Sequence, residues 1–478
     1  MSSADRPNIL LITTDQQRFD TIAALGNREI WTPHLDWLAD DGITFTRCYS
    51  DAPVCMAARA TIMTGCHGYT TGLTSNSHTL RPMAERPTLP GCLTAAGYQT
   101  RAVGKMHFEP MRANYGFEHM ELPMDYYRQQ HRKGGSLPKA HGVGENEMQP
   151  VVSTVHETES LTHWTVERSI DFLETRDDTR PFFLWTSFTK PHPPFDPPAN
   201  YWALYQNREV SPPHYGDWSQ TAEQAPQGFF KNTYILNNIQ RYSPSQLADA
   251  KRAYYACITH VDYELGQLFA RLREMKLLET TWIIFTSDHG EMLGDHHLGA
   301  KGIFFEGSAH VPMLVRPPGA SWEPSSRAGE TCDRLVQLAD LMPTILNTCG
   351  VDAPAGVDGL DVLQPGGPDE RPFFGMHAKD QFAVMKGQLK LVYTPIGGGE
   401  LLFDLASDPY EQHNLRDDPA YAEPLARLRA TLTENLTHFA PELIRDGKIV
   451  PDAGISGPQD LNRWPGFHST VEPSDVLH

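Results

Sequence analysis

The stretch TWIIFTSDHG, residues 281–290, decides how this chain is read. TWIIFT is a short apolar run, the pattern of a parallel strand covered by helices on both faces. It stops at Ser287-Asp288-His289-Gly290, where proton- and metal-binding groups crowd together. The same arrangement recurs three times. NILLITT (8–14) ends at Asp15-Gln16, Gln99–Val103 leads into Gly104-Lys105-Met106-His107, and PFFLWTSF (181–188) ends near Lys190-Pro191-His192-Pro193-Pro194. Ligands of open α/β sheets bind beyond the carboxyl ends of the strands. Four such polar ends therefore predict one site at one sheet edge.

Between these runs the pattern turns helical, over Pro33–Asp41 (closed by Gly42), Ala57–Thr64, Leu89–Ala96 and Ser245–Leu278, with Ile43–Tyr49 as a further strand. The alternation predicts an α/β fold with a large mixed, mostly parallel sheet sandwiched by helices. Residues 195–245, rich in Pro, Tyr, Trp and Asn, are expected to form a long excursion over the active face. From about residue 370, short strands at Phe382–Met385, Leu389–Tyr393 and Leu401–Leu405 precede a helix near Tyr421–Phe439. The expected division is a catalytic α/β domain over 1–369 and a small antiparallel α+β subdomain with a tail over 370–478.

Composition narrows the function. The 478 residues carry 40 Lys+Arg against 59 Asp+Glu, a net charge of −19. That balance excludes a general nucleic-acid binder and argues against docking on an anionic membrane. No apolar run approaches the roughly 18 residues that span a bilayer. Met1-Ser2-Ser3-Ala4-Asp5-Arg6-Pro7 has no signal-peptide character. The seven cysteines (Cys48, Cys55, Cys66, Cys92, Cys257, Cys332, Cys349) are odd in number and scattered, without a C-x-x-C pair. They form neither a disulfide framework nor a zinc knuckle, and a cytoplasmic location is expected.

Cys55 stands at the start of a predicted helix with Arg59 one turn on, a setting that lowers a thiol pKa and welcomes an anion. Most single cysteines are simply small buried hydrophobes. Asp15, Asp288 and His289 offer carboxylate oxygens for a hard divalent cation plus a nitrogen, although a lone strand-end Asp is more often a turn or helix cap. Lys105 and His107, two apart on an extended segment, fall on one side. Lys301 lies in Gly299-Ala300-Lys301-Gly302, and prolines hold His192. Singly these are ordinary. Together, two lysines, an arginine, two histidines and a metal would suit a small dianion.

With these residues assembled, the chain resembles the sulfatase family of the alkaline-phosphatase-like superfamily, in its bacterial arylsulfatase, choline-sulfatase and phosphonate monoester hydrolase branch. CMAARATIMTG (55–65) is similar to the family's C-x-P/A-x-R signature with its trailing T-G. TPHLD (32–36), GKMH (104–107), KPHPPF (190–195), SDHGEMLGDH (287–296) and LFDLASDPYE (402–411) match further motifs in the family's order. The resemblance implies that Cys55 is oxidised by a formylglycine-generating maturation enzyme to an aldehyde, whose hydrate is the nucleophile. It implies one divalent metal, Ca²⁺ or Mn²⁺ with Mg²⁺ open, on Asp15, Asp288, His289 and residue 55, with Gln16 as an added ligand. Lys105 and Lys301 would bind the transferred group, with Asn76. Arg59 would hold the diol, His192 would protonate the leaving group, and His107 would take the proton that lets sulfate leave. Thr14 and Gln16 stand where many relatives have two aspartates, and Ala57 where most have Pro.

The expected activity is hydrolysis of small-molecule sulfate esters. The alternatives are a phosphonate monoester hydrolase or phosphodiesterase on the same scaffold, and a non-catalytic relative. That phosphonate branch carries Tyr and Thr at the Lys105 and His107 positions, so this chain favours sulfate. Tyr201, Trp202, Tyr205, Tyr215, Trp218, Phe229 and Phe230 would form either a cage for a choline-like cation, a sugar-stacking wall, or a lid packing on itself. The aromatic tail Arg463-Trp464-Pro465-Gly466-Phe467 is expected to dock on a neighbouring subunit of a dimer or tetramer.

Overall fold

Strand β1 (Asn8–Asp15) alternates its side chains between two cores, Ile9 and Leu11 into one, Leu10 and Ile12 into the other. That double burial explains why its sequence is apolar throughout. The computed structural model describes residues 6–451 apart from 77–82, 84, 135–140, 145, 222–223, 231–238, 240–241, 320–326 and 365–370. The other strands of the large sheet are β2 (Ile43–Tyr49), β3 (Gln99–Gly104), β4 (His119–Glu121), β5 (Phe182–Pro191), β6 (Thr281–Ser287), β7 (His310–Arg316) and β8 (Glu330–Gln337). They lie in the order β4-β3-β5-β1-β6-β7-β2-β8. Only β7 runs against its neighbours.

Helices Pro33–Asp40, Leu161–Thr175 and Pro244–Glu274 cover one face; Cys55–Thr64, Leu89–Ala95 and Leu341–Thr348 cover the other. We number them α1 (33–40), α2 (55–64), α3 (89–95), α4 (161–175), α5 (244–274) and α6 (341–348). The longest, α5, starts at a capping box: Ser243 accepts from Gln246 N–H, and the Gln246 side chain returns to Ser243 N–H. No helix of the described residues is long and apolar enough to cross a membrane.

The small sheet is antiparallel, in the order β12-β11-β10-β9, from β9 (Phe373–His377), β10 (Gln381–Lys386), β11 (Leu389–Thr394) and β12 (Gly399–Asp404). β10 again alternates. Phe382 and Val384 meet Leu425, Leu428, Leu432 and Leu436 of helix α7 (Ala422–Phe439), whose i, i+3, i+7 spacing makes one apolar stripe. Ala383 and Met385 face Phe304 and Phe305 of the large body.

Three expectations change. Helix α2 starts at Cys55 rather than Ala57. The 195–245 excursion contains a helix, Ala199–Tyr205, and its described aromatics pack against the body of the protein instead of forming a cage, a sugar-stacking wall or a lid closed on itself. Tyr201 and Tyr205 pack into the core beside Tyr254 and Tyr255 of α5, and Trp218 and Phe229 pack on Phe305 under the small sheet. Tyr215 stacks on His297, and Trp202 is half-buried against the same core as Tyr201. The side chain of Phe230, and the tail at 463–467, lie outside the described residues. Finally, β3 ends at Gly104, so Lys105 and His107 do not share an extended strand; His107 turns into the left-handed region with φ +56°.

Candidate active site

β3, β5, β1 and β6 are adjacent and parallel, so their carboxyl ends meet at one edge. Asp15 ends β1, Asp288 and His289 follow β6, Lys105 follows β3, and His192 follows β5. Cys55 opens α2 at the same place. Val54 provides no side-chain cap there; instead Asn76, itself exposed, reaches in, and its Oδ1 accepts from Met56 N–H at 3.1 Å. Asn76 thus completes the helix terminus beside residue 55.

Asp15, Cys55, Asp288 and His289 are all buried, and each contributes a ligand atom to a group lying within 4.8 Å of one another. His289 Nε2 is 3.1 Å from Cys55 Sγ, 3.8 Å from Asp15 Oδ1 and 3.7 Å from Asp288 Oδ1. His289 Nδ1 faces the Gly290 carbonyl at 3.0 Å, so Nδ1 carries a proton and the Nε2 lone pair of the neutral ring faces the cluster. Two carboxylates, an imidazole nitrogen and a sulfur converge on one buried point, each turning an atom with a lone pair toward the others. A divalent cation satisfies such a set, and the backbone carbonyl behind His289 fixes its tautomer as metal sites require.

The electrostatics agree. Burial pushes the Cys55 thiol up, but Lys105, Lys301 and His289 outweigh it and bring it well below the ordinary thiol value. Burial and the Cys55 thiolate raise Asp15, while Lys105, His192 and Arg59 draw it down to about 2. Asp288 is raised by burial and by Asp15 beside it. Burial lowers His289, yet Asp288 and Cys55 raise it on balance.

Cations surround the cluster. The Lys105 ammonium pairs with Asp15 Oδ2 and lies 4.0 Å from Cys55 Sγ. Arg59 sends Nε to Asp288 Oδ2 at 2.9 Å and Nη1 to Ser187 Oγ at 2.7 Å and the Lys105 carbonyl at 2.5 Å. Its described hydrogen bonds therefore hold the carboxylate and the β3 and β5 ends rather than residue 55. Lys301 Nζ lies 3.0 Å from His192 Nε2. His192 Nδ1 donates to the Pro193 carbonyl at 2.8 Å, leaving Nε2 to accept from the lysine. Burial, with Lys301 and Lys105, drives His192 down to about 4. His107 reaches the Cys55 thiol from the exposed side.

The Gln16 amide oxygen accepts from Lys301 Nζ at 2.5 Å, and its nitrogen donates to Glu291, so both ends of the amide are engaged outside the four-residue cluster. Two participants escaped the sequence reading. Ser187 ties Thr13, Arg59 and the Lys105 carbonyl into one network. Glu291, fully buried, organises the loop that carries Lys301. Glu291 was visible only as part of SDHGEMLGDH, and an acid followed by Met-Leu-Gly in an apolar setting is the one signal that singles it out.

A mixed eight-stranded sheet with a second antiparallel sheet defines the alkaline-phosphatase-like fold. The phosphonate monoester hydrolase of Agrobacterium radiobacter superposes with a TM-score of 0.74 at 24% identity, over 91% of this chain and 96% of that one. The sulfatase family model matches residues 7–351, and the model for the N-sulphoglucosamine sulphohydrolase C-terminal region matches 294–438. The chain is 33% identical over 469 residues to an arylsulfatase of Clostridium perfringens, covering 90% of this chain and 94% of the relative. A choline-sulfatase of Rhizobium meliloti is 29% identical, over 91% of this chain and 88% of its own length. This protein belongs to the sulfatase family and is a sulfatase-type enzyme.

Proposed function

We propose that this enzyme hydrolyses sulfate monoesters of small molecules, using residue 55, converted from cysteine to formylglycine by a maturation enzyme, as nucleophile. One observation carries the reading: the Cys55 side chain sits inside the Asp15–Asp288–His289 cluster, with Lys105 and the Lys301–His192 pair around it. Asp15, Asp288, His289 and residue 55 would hold a divalent cation, which would supply Lewis acidity at neutral pH; two carboxylates with one nitrogen favour Mn²⁺ or Ca²⁺ over Mg²⁺.

The chain's own residues do the rest. Lys105 and Lys301 neutralise charge on the sulfate oxygens as the S–O bond breaks. The proton shared between Lys301 and His192 Nε2 passes to the leaving alkoxide. His107, on the exposed side, takes up the proton released from residue 55 as sulfate departs. Arg59 fixes Asp288 and the Lys105 backbone, and Asn76 holds the start of α2.

The test is peptide mass spectrometry of the tryptic fragment containing Cys55, on protein purified from its own host, followed by turnover of sulfate esters and phosphonate monoesters. A mass loss matching thiol-to-aldehyde conversion, with faster sulfate turnover, is expected. An unmodified thiol in protein that turns over neither class removes the reading, and faster phosphonate turnover moves the substrate to the other ester class.

A further inference from the structure

Lys301 and His192 come from elements far apart in the chain, and neither is held by its own backbone alone. Behind them lies a buried carboxylate that touches neither. One Glu291 oxygen accepts from Leu293 N–H at 3.0 Å and Ala300 N–H at 2.5 Å; the other accepts from the Gln16 side-chain amide. The Gln16 amide oxygen then faces Lys301 Nζ, and Lys301 faces His192. Three of these residues share an uncommon feature: Gln16 (φ +72°), Leu293 (φ +51°) and Ala300 (φ +61°) are non-glycine residues in the left-handed region. Such conformations cost free energy and persist where surrounding bonds over-determine them. All three are bonded to the one carboxylate.

We propose that Glu291 is a positioning residue for the Lys301–His192 pair, acting through the side-chain amide of Gln16. The argument is one of hydrogen-bond polarity. Lysine only donates, so Gln16 presents its carbonyl to Lys301 and its NH₂ to Glu291. The lysine is thereby given an acceptor on one side and the His192 lone pair on the other, which aims its remaining N–H at the site. The same carboxylate, through Ala300 N–H, sets the backbone one residue before Lys301. A neutral residue at Gln16 suits this role because it accepts from the lysine without neutralising it.

The proposal rests on reading Lys301 and His192 as the charge and proton donors of the reaction, and the experiment separates the two. In Glu291→Gln, the new NH₂ faces the Gln16 NH₂, so Gln16 must turn and point its own NH₂ at the Lys301 ammonium. Gln16→Met removes the middle of the chain while leaving Glu291 in place, and serves should Glu291→Gln fail to fold. Each variant is combined with Lys301→Ala in a double-mutant cycle. Turnover is measured on 4-nitrophenyl sulfate and on an alkyl sulfate, which needs a proton on its leaving oxygen. Binding of inorganic sulfate is measured by calorimetry.

Each single variant is expected to lose on the order of 10–100-fold in kcat on the alkyl ester, much less on the aryl ester, and to add little in the Lys301→Ala background. Equal losses on both esters, or losses that multiply with Lys301→Ala, would overturn the proposal in favour of a merely structural carboxylate. If the wild type turns over neither ester, the functional reading fails, and sulfate binding decides the inference alone. Weaker sulfate binding in Glu291→Gln that vanishes in the Lys301→Ala background supports it; unchanged binding rejects it.

Discussion

Glu306, Lys390 and Glu411 are buried where the small sheet meets the large body, as completely as Asp15, Asp288 and Cys55 are buried at the sheet edge. Lys390 Nζ lies 2.7 Å from Glu306 Oε1 and 2.8 Å from Glu411 Oε1. Tyr49 and His310 donate to Glu306 Oε2, and Glu306 N–H donates to Glu411 Oε2. In that network donors and acceptors face one another, so it is closed. In the edge cluster Lys105 and Arg59 take the outer oxygens of Asp15 and Asp288, while Asp15 Oδ1, Cys55 Sγ and His289 Nε2 turn toward one another. Burial of charge is common to both. What separates a site from a strut is whether the polarity is complete.

The comparison can be broken experimentally. The largest effect is expected from Cys55→Ala, which should lower kcat on the order of 10⁴-fold or more, as loss of a nucleophile does, with the unfolding midpoint little changed. Lys390→Met should do the opposite. It leaves two carboxylates without their cation and should cost about 3–5 kcal/mol by denaturant unfolding, with kcat per folded molecule retained. If Lys390→Met removed activity without destabilising, the two clusters would not be separate in kind.

Adding Mn²⁺ or Ca²⁺ to chelator-treated protein should stabilise it by about 2.7 kcal/mol at a hundred times the dissociation constant, and Asp288→Asn should abolish that gain. Lys390→Met should leave the gain intact. The smallest effect is expected from Glu411→Gln. Burial raises Glu411 to about 7, against the opposing pull of Lys390 and with the help of Glu306. Its folded pKa thus exceeds the ordinary 4.5, so its contribution is complete below about pH 4.5 and is lost as pH rises through 7. Thermal scans from pH 4 to 8 should show a steeper decline in the wild type than in Glu411→Gln, with the two nearly equal near pH 4.5.

The strands that carry the site were legible because a strand buried on both faces must be apolar along its length and must then stop. NILLITT and TWIIFT do both. β7 and β8 were not legible for the converse reasons. β7 has Pro312 in its interior, which ordinarily argues against a central strand, yet the Pro312 carbonyl accepts from Thr286 Oγ1 and the residues on either side of it pair with the neighbouring strands. β8 lies at the sheet edge with its first half exposed, so no alternation marks it. The aromatics of 195–245 misled in another way: composition shows that large rings need cover, not which surface provides it. At the site, residue types in a shared edge pattern pointed to the cluster. The partners of Gln16 and Arg59 did not follow, because hydrogen-bond direction depends on side chains that only the fold brings near.

The place of β1 in the sheet also has a temporal meaning. Its two neighbours are β5 and β6, and the β6 register pairs Thr14 with Ser287. The innermost strand therefore cannot be enclosed until a chain growing from its amino terminus has been made past residue 287. Translation at ~5–20 residues per second takes roughly 10–50 s to travel from residue 55 to that point. Throughout that interval the segment around Cys55, only 1% exposed once folding is complete, is not yet covered by the finished sheet. For the conversion of residue 55 proposed above, the rate of synthesis would set the time available.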